Sequence, residues 1–163
     1  DPDMSDLLQN FVVDVTTDVI GALDDQMSVE SAHWQICSRF TSSETNIQPI
    51  RKEYCRSRPV ARYVRVKIIG SAKLTLCEVE VFGESANIAK LKPAEQSSEA
   101  KVQSTIANAV SIGETGAGLA VDGNTDQLDI AECATSSTTV QSNLTWAVDL
   151  RGDFLIEEVF IYG

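Results

Sequence analysis

Tyr63-Val64-Arg65-Val66-Lys67-Ile68-Ile69 places Val64, Val66 and Ile68 on one face of the chain and Tyr63, Arg65 and Lys67 on the other. A period of two is that of a half-buried β-strand. Across Gly70-Ser71, the run Leu74-Thr75-Leu76-Cys77-Glu78-Val79-Glu80-Val81-Phe82 alternates in the same way. Working outward, Phe11-Val12-Val13-Asp14-Val15, Trp146-Ala147-Val148-Asp149-Leu150 and the segment 156–162 are also rich in strand formers. Gly83-Glu84-Ser85 and Asp122-Gly123-Asn124 punctuate them as turns. No long amphipathic helix pattern competes. Short strands with frequent turn signals predict an all-β fold, an antiparallel sandwich or barrel.

The chain has 163 residues, which suits a single domain over 1–163, since domains run about 100–200 residues. Hydrophobic residues make up 43% and charged residues 23%, the balance of a folded globular protein rather than a disordered one. Thirteen basic against 24 acidic side chains leave a net charge of −11. That excess speaks against nucleic acid and anionic membranes as main partners. No apolar run approaches the ~18 residues of a membrane-spanning helix, so no membrane insertion is expected. No apolar leader opens the chain, and Asp1 is where a mature product or a fragment would begin.

Four cysteines, Cys37, Cys55, Cys77 and Cys133, include no C-x-x-C pair, and the single histidine, His33, does not complete a zinc spacing. An even count fits two disulfides in an oxidising, secreted setting, with three connectivities open. Asn143-Leu144-Thr145 is an N-glycosylation sequon and agrees with an extracellular location.

Charge is uneven along the chain. Residues 1–38 hold Asp1, Asp3, Asp6, Asp14, Asp18, Asp24, Asp25 and Glu30 with no lysine or arginine. Arg51, Lys52, Arg56, Arg58, Arg62, Arg65 and Lys67 then fall close together. Two readings follow: a basic face paired with acids of the same fold, or a contact surface for another copy of the chain. His33 has no evident nucleophile partner. The serine-rich stretches 97–104 and 136–142 lack a nucleophile elbow, and no phosphate-binding glycine loop occurs, so no enzyme is expected. Arg151-Gly152-Asp153 is an integrin-type tripeptide that equally suits a turn between two strands.

Two segments carry a family resemblance. Residues 87–98, Asn87-Ile88-Ala89-Lys90-Leu91-Lys92-Pro93-Ala94-Glu95-Gln96-Ser97-Ser98, lead to Leu119-Ala120-Val121-Asp122-Gly123-Asn124-Thr125-Asp126, Cys133 and Trp146-Ala147-Val148-Asp149-Leu150. This resembles the first half of an F-type lectin (fucolectin) domain. Ala61-Arg62-Tyr63-Val64-Arg65-Val66 with Leu74–Gly83 resembles that domain's final strands. The order is reversed: residues 1–85 resemble the family's C-terminal half and 86–163 its N-terminal half. The resemblance therefore implies a circular permutation, or one period of a tandem array cut out of phase. It implies an eight-stranded jelly-roll sandwich of the F-type lectin or discoidin-like kind. It also implies Cys37–Cys55 and Cys77–Cys133 disulfides, the second tying the two halves together.

The resemblance further implies a Ca²⁺ site built from Asp122, Asn124, Glu132, Glu78 and the main-chain carbonyl of Leu119. These are the oxygen donors that calcium takes. The fucose site is expected to be degenerate. The family reads fucose with a histidine after the cysteine of its first half and with two arginines. Thr135 stands two residues after Cys133, and Leu7 falls near the second arginine. Neither supplies the cationic donors that sugar hydroxyls need. The expected function is a secreted, non-enzymatic, calcium-stabilised module that associates with other copies or tandem repeats in an extracellular matrix, filament or thread. The alternative is a calcium-dependent lectin for fucose or another glycan.

Overall fold

The computed structural model describes residues 10–21, 28–41, 50–104, 111–114, 116–136 and 139–163. In chain order its strands begin with β1 (Phe11–Thr16), β2 (Gln35–Phe40), β3 (Ile50–Tyr54), β4 (Val60–Ile68) and β5 (Ser71–Ala72). They continue as β6 (Thr75–Leu76), β7 (Glu78–Gly83), β8 (Ala86–Asn87), β9 (Ala94–Gln96) and β10 (Lys101–Ser104). The last are β11 (Ser111–Glu114), β12 (Ala134–Thr135), β13 (Gln141–Ser142), β14 (Thr145–Leu155) and β15 (Glu158–Tyr162). The helical elements among the described residues are 3-10 turns, Ala117–Val121 and Ile130–Glu132. None of the described helices is long and apolar enough to cross a membrane.

A five-stranded sheet runs β2-β1-β4-β14-β9, and a four-stranded sheet runs β3-β15-β7-β8. Every strand pair in them is antiparallel. The alternation read from the sequence sets what each strand buries. Val64, Val66 and Ile68 of β4 join Phe11, Val13 and Val15 of β1 and Trp146, Val148 and Leu150 of β14 in one buried cluster. Val79 and Val81 of β7 and Val159 and Ile161 of β15 enter the same cluster from the other sheet. The two sheets thus share one core, as in a β-sandwich. Trp146 is fully buried, and its indole N–H donates to the Ala117 carbonyl at 2.9 Å, so no polar atom of the ring is stranded. The two sheets hold nine strands among the described residues, not eight. The ninth is the two-residue β8, folded back on β7 through Glu84 and Ser85 at φ 53° and 76°.

Three local expectations are corrected. Residues 74–82 do not form one strand. The run breaks at Cys77, whose N–H donates to the Tyr162 carbonyl at 2.7 Å. Before the break β6 pairs with β12, and after it β7 pairs with β15. The edge strands β2 and β3 were not expected, because β3 reads Ile-Arg-Lys-Glu-Tyr, charged at its centre as edge strands often are. Arg151-Gly152-Asp153 is not a turn between strands. It lies inside β14, in the register irregularity that separates Asp149↔Tyr63 from Phe154↔Ala61.

The disulfides are Cys37–Cys55 and Cys77–Cys133. Cys37 sits in β2 and Cys55 directly follows β3, so the first bond clips the edge of one sheet to the edge of the other. On the outer face of the five-stranded sheet, Arg65 Nε and Nη2 donate to Asp14 Oδ1 and Oδ2 at 2.9 and 2.6 Å. Arg65 Nη1 and Trp34 Nε1 both donate to the Val29 carbonyl, at 3.1 and 2.7 Å, and the guanidinium lies 4.1 Å from the Trp34 ring centre. Segment 28–34 is thereby held over the sheet, and the ion pair beneath it is buried.

Breaking such a pair strands a buried charge, at a cost of roughly 3–5 kcal/mol. Asp14→Ala and Arg65→Ala should each lower stability by about that amount in urea unfolding. The double change Asp14→Leu with Arg65→Met should cost far less than the two single losses added together. Additive losses would show that the two charges do not depend on each other.

Candidate functional site

The Cys77–Cys133 disulfide brings together chemistry that is distant in sequence. Glu78 is the first residue of β7, and Glu132 ends the 3-10 turn that precedes Cys133. Asp122 ends the other 3-10 turn, Ala117–Val121. Beyond it the backbone turns through Gly123 at φ +90°, a conformation that favours glycine. The Gly123 N–H donates to Glu78 Oε2 at 3.2 Å. Asn124 N–H donates to Asp122 Oδ1 at 2.7 Å, Asp126 N–H to Asn124 Oδ1 at 3.0 Å, and Asn124 Nδ2 to Glu132 Oε2 at 3.0 Å. Successive side chain-to-backbone bonds of this kind fix a loop without strand or helix.

Glu78 is the unusual member. It is 0% exposed, and its Oε1 is buried with no hydrogen-bond partner. Burial pushes its pKa up to about 7; the Gly123 N–H and the Lys90 charge oppose the rise, while Asp122 and Glu80 add to it. A buried carboxylate with an unused oxygen carries a desolvation cost that a cation would relieve. One cation is already close. A Cβ built on Gly123 would stand 2.6 Å from Lys90 Cε and Nζ, so the lysine head lies against the Asp122-Gly123 turn. Nothing local in the sequence marks Lys90 as a lysine that crosses to a turn over thirty residues on.

The residues expected to hold calcium thus fall in one region: Glu78 meets the turn through Gly123, and Asn124 joins Glu132. Leu119 lies in the neighbouring 3-10 turn, packed on the core. Among the described residues no three carboxylate, imidazole or thiol groups converge as a metal cluster by themselves. A calcium ion here would need amide and carbonyl oxygens beside the carboxylates, which that ion accepts.

The other candidate residues lie apart. Thr135 is 1% exposed, and its hydroxyl donates to Thr75 Oγ1 at 3.4 Å inside the β12–β6 ladder. Leu7 lies outside the described residues. His33 is a surface residue whose Nδ1 and N–H meet Asp18 Oδ2 at 3.0 and 2.7 Å. Four of the seven clustered basic residues pair within the chain: Lys52 with Glu158, Arg58 with Glu157, Arg62 with Asp149 and Arg65 with Asp14. Only Asp14 among those partners comes from the acidic segment 1–38. The reading in which the basic face finds acids of its own fold therefore describes most of this cluster. No protein-family model, curated protein or solved structure matches the chain.

The Glu78 environment makes a pH prediction for protein freed of divalent ions. Its folded pKa lies above the ordinary 4.5, so protonation favours the fold. That stabilising contribution is complete below pH 4.5 and is lost as pH rises through about 7. Urea midpoints measured in chelator between about pH 5 and about pH 8 should fall for the native chain and stay flatter for Glu78→Gln. Parallel curves for the two proteins would remove Glu78 as the titrating group.

Proposed function

We propose that the chain is a secreted, non-enzymatic, jelly-roll module of the F-type-lectin kind in permuted order, which has lost fucose recognition and acts as a structural or adhesive subunit. The observation that carries this reading is Thr135. At the place where the resemblance puts a sugar-reading histidine, the side chain is buried and its hydroxyl donates to Thr75. A group enclosed in this way cannot donate to a ligand without opening the β12–β6 ladder. Two disulfides support an extracellular location, since such bonds persist in oxidising compartments.

In this reading calcium is held by Glu78, Asp122, Asn124 and Glu132 with the Leu119 carbonyl. A bound calcium ion would supply positive charge beside the buried Glu78 carboxylate, next to the turn that meets Glu78 through the Gly123 N–H. It performs no reaction; the chain's own residues position one another. The other copies of the chain, or tandem repeats of it, are the proposed partners. Ion pairing inside the fold restricts which cations serve such contacts. Among the described residues Arg51, Arg56 and Lys67 of the basic cluster lack an ion-pair partner, whereas Arg58 is committed to Glu157.

A second reading, a calcium-dependent lectin of altered specificity, is favoured by one observation. The outer face of the four-stranded sheet presents Tyr54, 55% exposed, beside Phe160, which meets Phe82 edge to face at 5.3 Å. Lys52 Nζ lies 4.8 and 4.9 Å from the Tyr54 and Phe160 ring centres. Flat aromatic surfaces of this kind can stack on sugar rings.

A glycan array and sedimentation velocity separate the two. The first reading predicts no fucose binding and association that weakens with rising salt, because exposed charges are screened over about 8–10 Å near physiological ionic strength. Arg56→Glu should weaken association more than Arg58→Glu. A chain that stays monomeric at every salt concentration and binds fucose would reverse the assignment.

A further inference from the structure

Asn143-Leu144-Thr145 is the one N-glycosylation sequon in the chain. It falls where β13 ends and β14 begins, with Asn143 at φ 60°. Leu144 and Thr145 turn inward, 3% and 9% exposed, while Asn143 remains at the surface. Its side chain stands on the rim of an open groove of about 440 Å³ over the outer face of β1, β2 and β4. Val12 contributes apolar surface to that groove, and Trp34 and Ile36 line it from the residue before β2 and from β2 itself. Ile36 is 52% exposed, a large apolar side chain open to solvent on an edge strand. Arg39 and Lys67 place cationic donors in the same groove.

We propose that Asn143 carries an N-linked glycan whose first sugars lie along this groove and cover Ile36 and Trp34. The inference rests on the secreted reading above, because the modification requires passage through the secretory pathway. In the transfer step the Asn143 amide nitrogen attacks C1 of the first sugar of a lipid-pyrophosphate-linked oligosaccharide. An N–C bond forms, the C1–O bond to pyrophosphate breaks, the lipid pyrophosphate leaves, and the amide gives up one proton. The groove matches the attached group in chemistry. A pyranose has an apolar C–H face for Trp34 and Ile36, and hydroxyls that accept from Arg39 and Lys67. The occupant is tethered at the rim, so it meets the groove at high effective concentration and needs little intrinsic affinity.

The test uses the full chain secreted from eukaryotic cells. Intact mass is measured before and after treatment of the folded protein with peptide N-glycosidase, followed by peptide mapping of residue 143. Acrylamide quenching of tryptophan fluorescence reads the groove in the same samples. Of the two tryptophans Trp146 is fully buried, so quenching reports mainly on Trp34. The expected result is a mass loss, aspartate at position 143, and a quenching constant about twofold higher once the sugar no longer covers the ring. A secreted chain with no mass change overturns the modification. A mass change with unaltered quenching overturns placement of the sugar in the groove. A glycosylated chain that also binds fucose sinks the loss-of-recognition reading and leaves this inference standing.

Discussion

The antiparallel ladder between β4 and β14 is the constraint on which the remaining structure depends. It sets Trp146 opposite Val66 and Val148 opposite Val64 at the middle of the larger sheet. Arg62 reinforces it by donating from Nε and Nη2 to Asp149 Oδ1 and Oδ2 at 2.8 and 2.9 Å. Burial works to raise the Asp149 pKa, yet the hydrogen bonds from Arg62 and the Arg151 N–H, with the charges of both arginines, hold it below the usual carboxylate range. The smaller sheet repeats the arrangement, with β15 seated between β3 and β7. In the smaller sheet a strand from residues 86–163 is thus inserted between strands from 1–85, and in the larger sheet β14, with β9 on its far side, pairs with β4 of residues 1–85. Neither segment alone completes either of these two sheets, and the core contains side chains of both.

This interleaving explains why the disulfides sit where they do. Cys77–Cys133 spans the two segments beside the point where the chain leaves β6 for β7. Cys37–Cys55 ties the β2 edge of the larger sheet to the β3 edge of the smaller one. Cys77–Cys133 also sets the site, because it fixes Glu78 on one side and Glu132 on the other. Glu78 then has one oxygen satisfied by Gly123 and one left without a donor in a buried position.

The sequence made the central strands legible because Val64, Val66 and Ile68 obey a period of two, as do Val79 and Val81. Edge strands were not legible. In β3 the alternation is carried by charged side chains, and β9 is only three residues long. The Asp122-Gly123-Asn124 turn was readable from local chemistry, since short polar side chains bond their own backbone and Gly123 takes a left-handed φ. What linear reading could not supply was the partner of each charge. Arg65 finds Asp14 across 51 residues, and Arg62 finds Asp149 across 87. A basic run in sequence thus became a set of internal pairs in space. Lys90 is illegible in the sequence for the same reason, since only folding brings it against Gly123.

The functional account turns on whether the buried Glu78 carboxylate serves a bound cation or is merely a strained acid beside Lys90. A ligand that binds only the folded state raises its stability by about 2.7 kcal/mol at a concentration one hundred times the dissociation constant. Thermal unfolding of the native chain and of Glu78→Gln, each with excess calcium and with excess chelator, asks the question directly. The account predicts that calcium raises the melting temperature of the native chain and leaves Glu78→Gln unmoved. Coincident melting curves for the native chain with calcium and with chelator would contradict it.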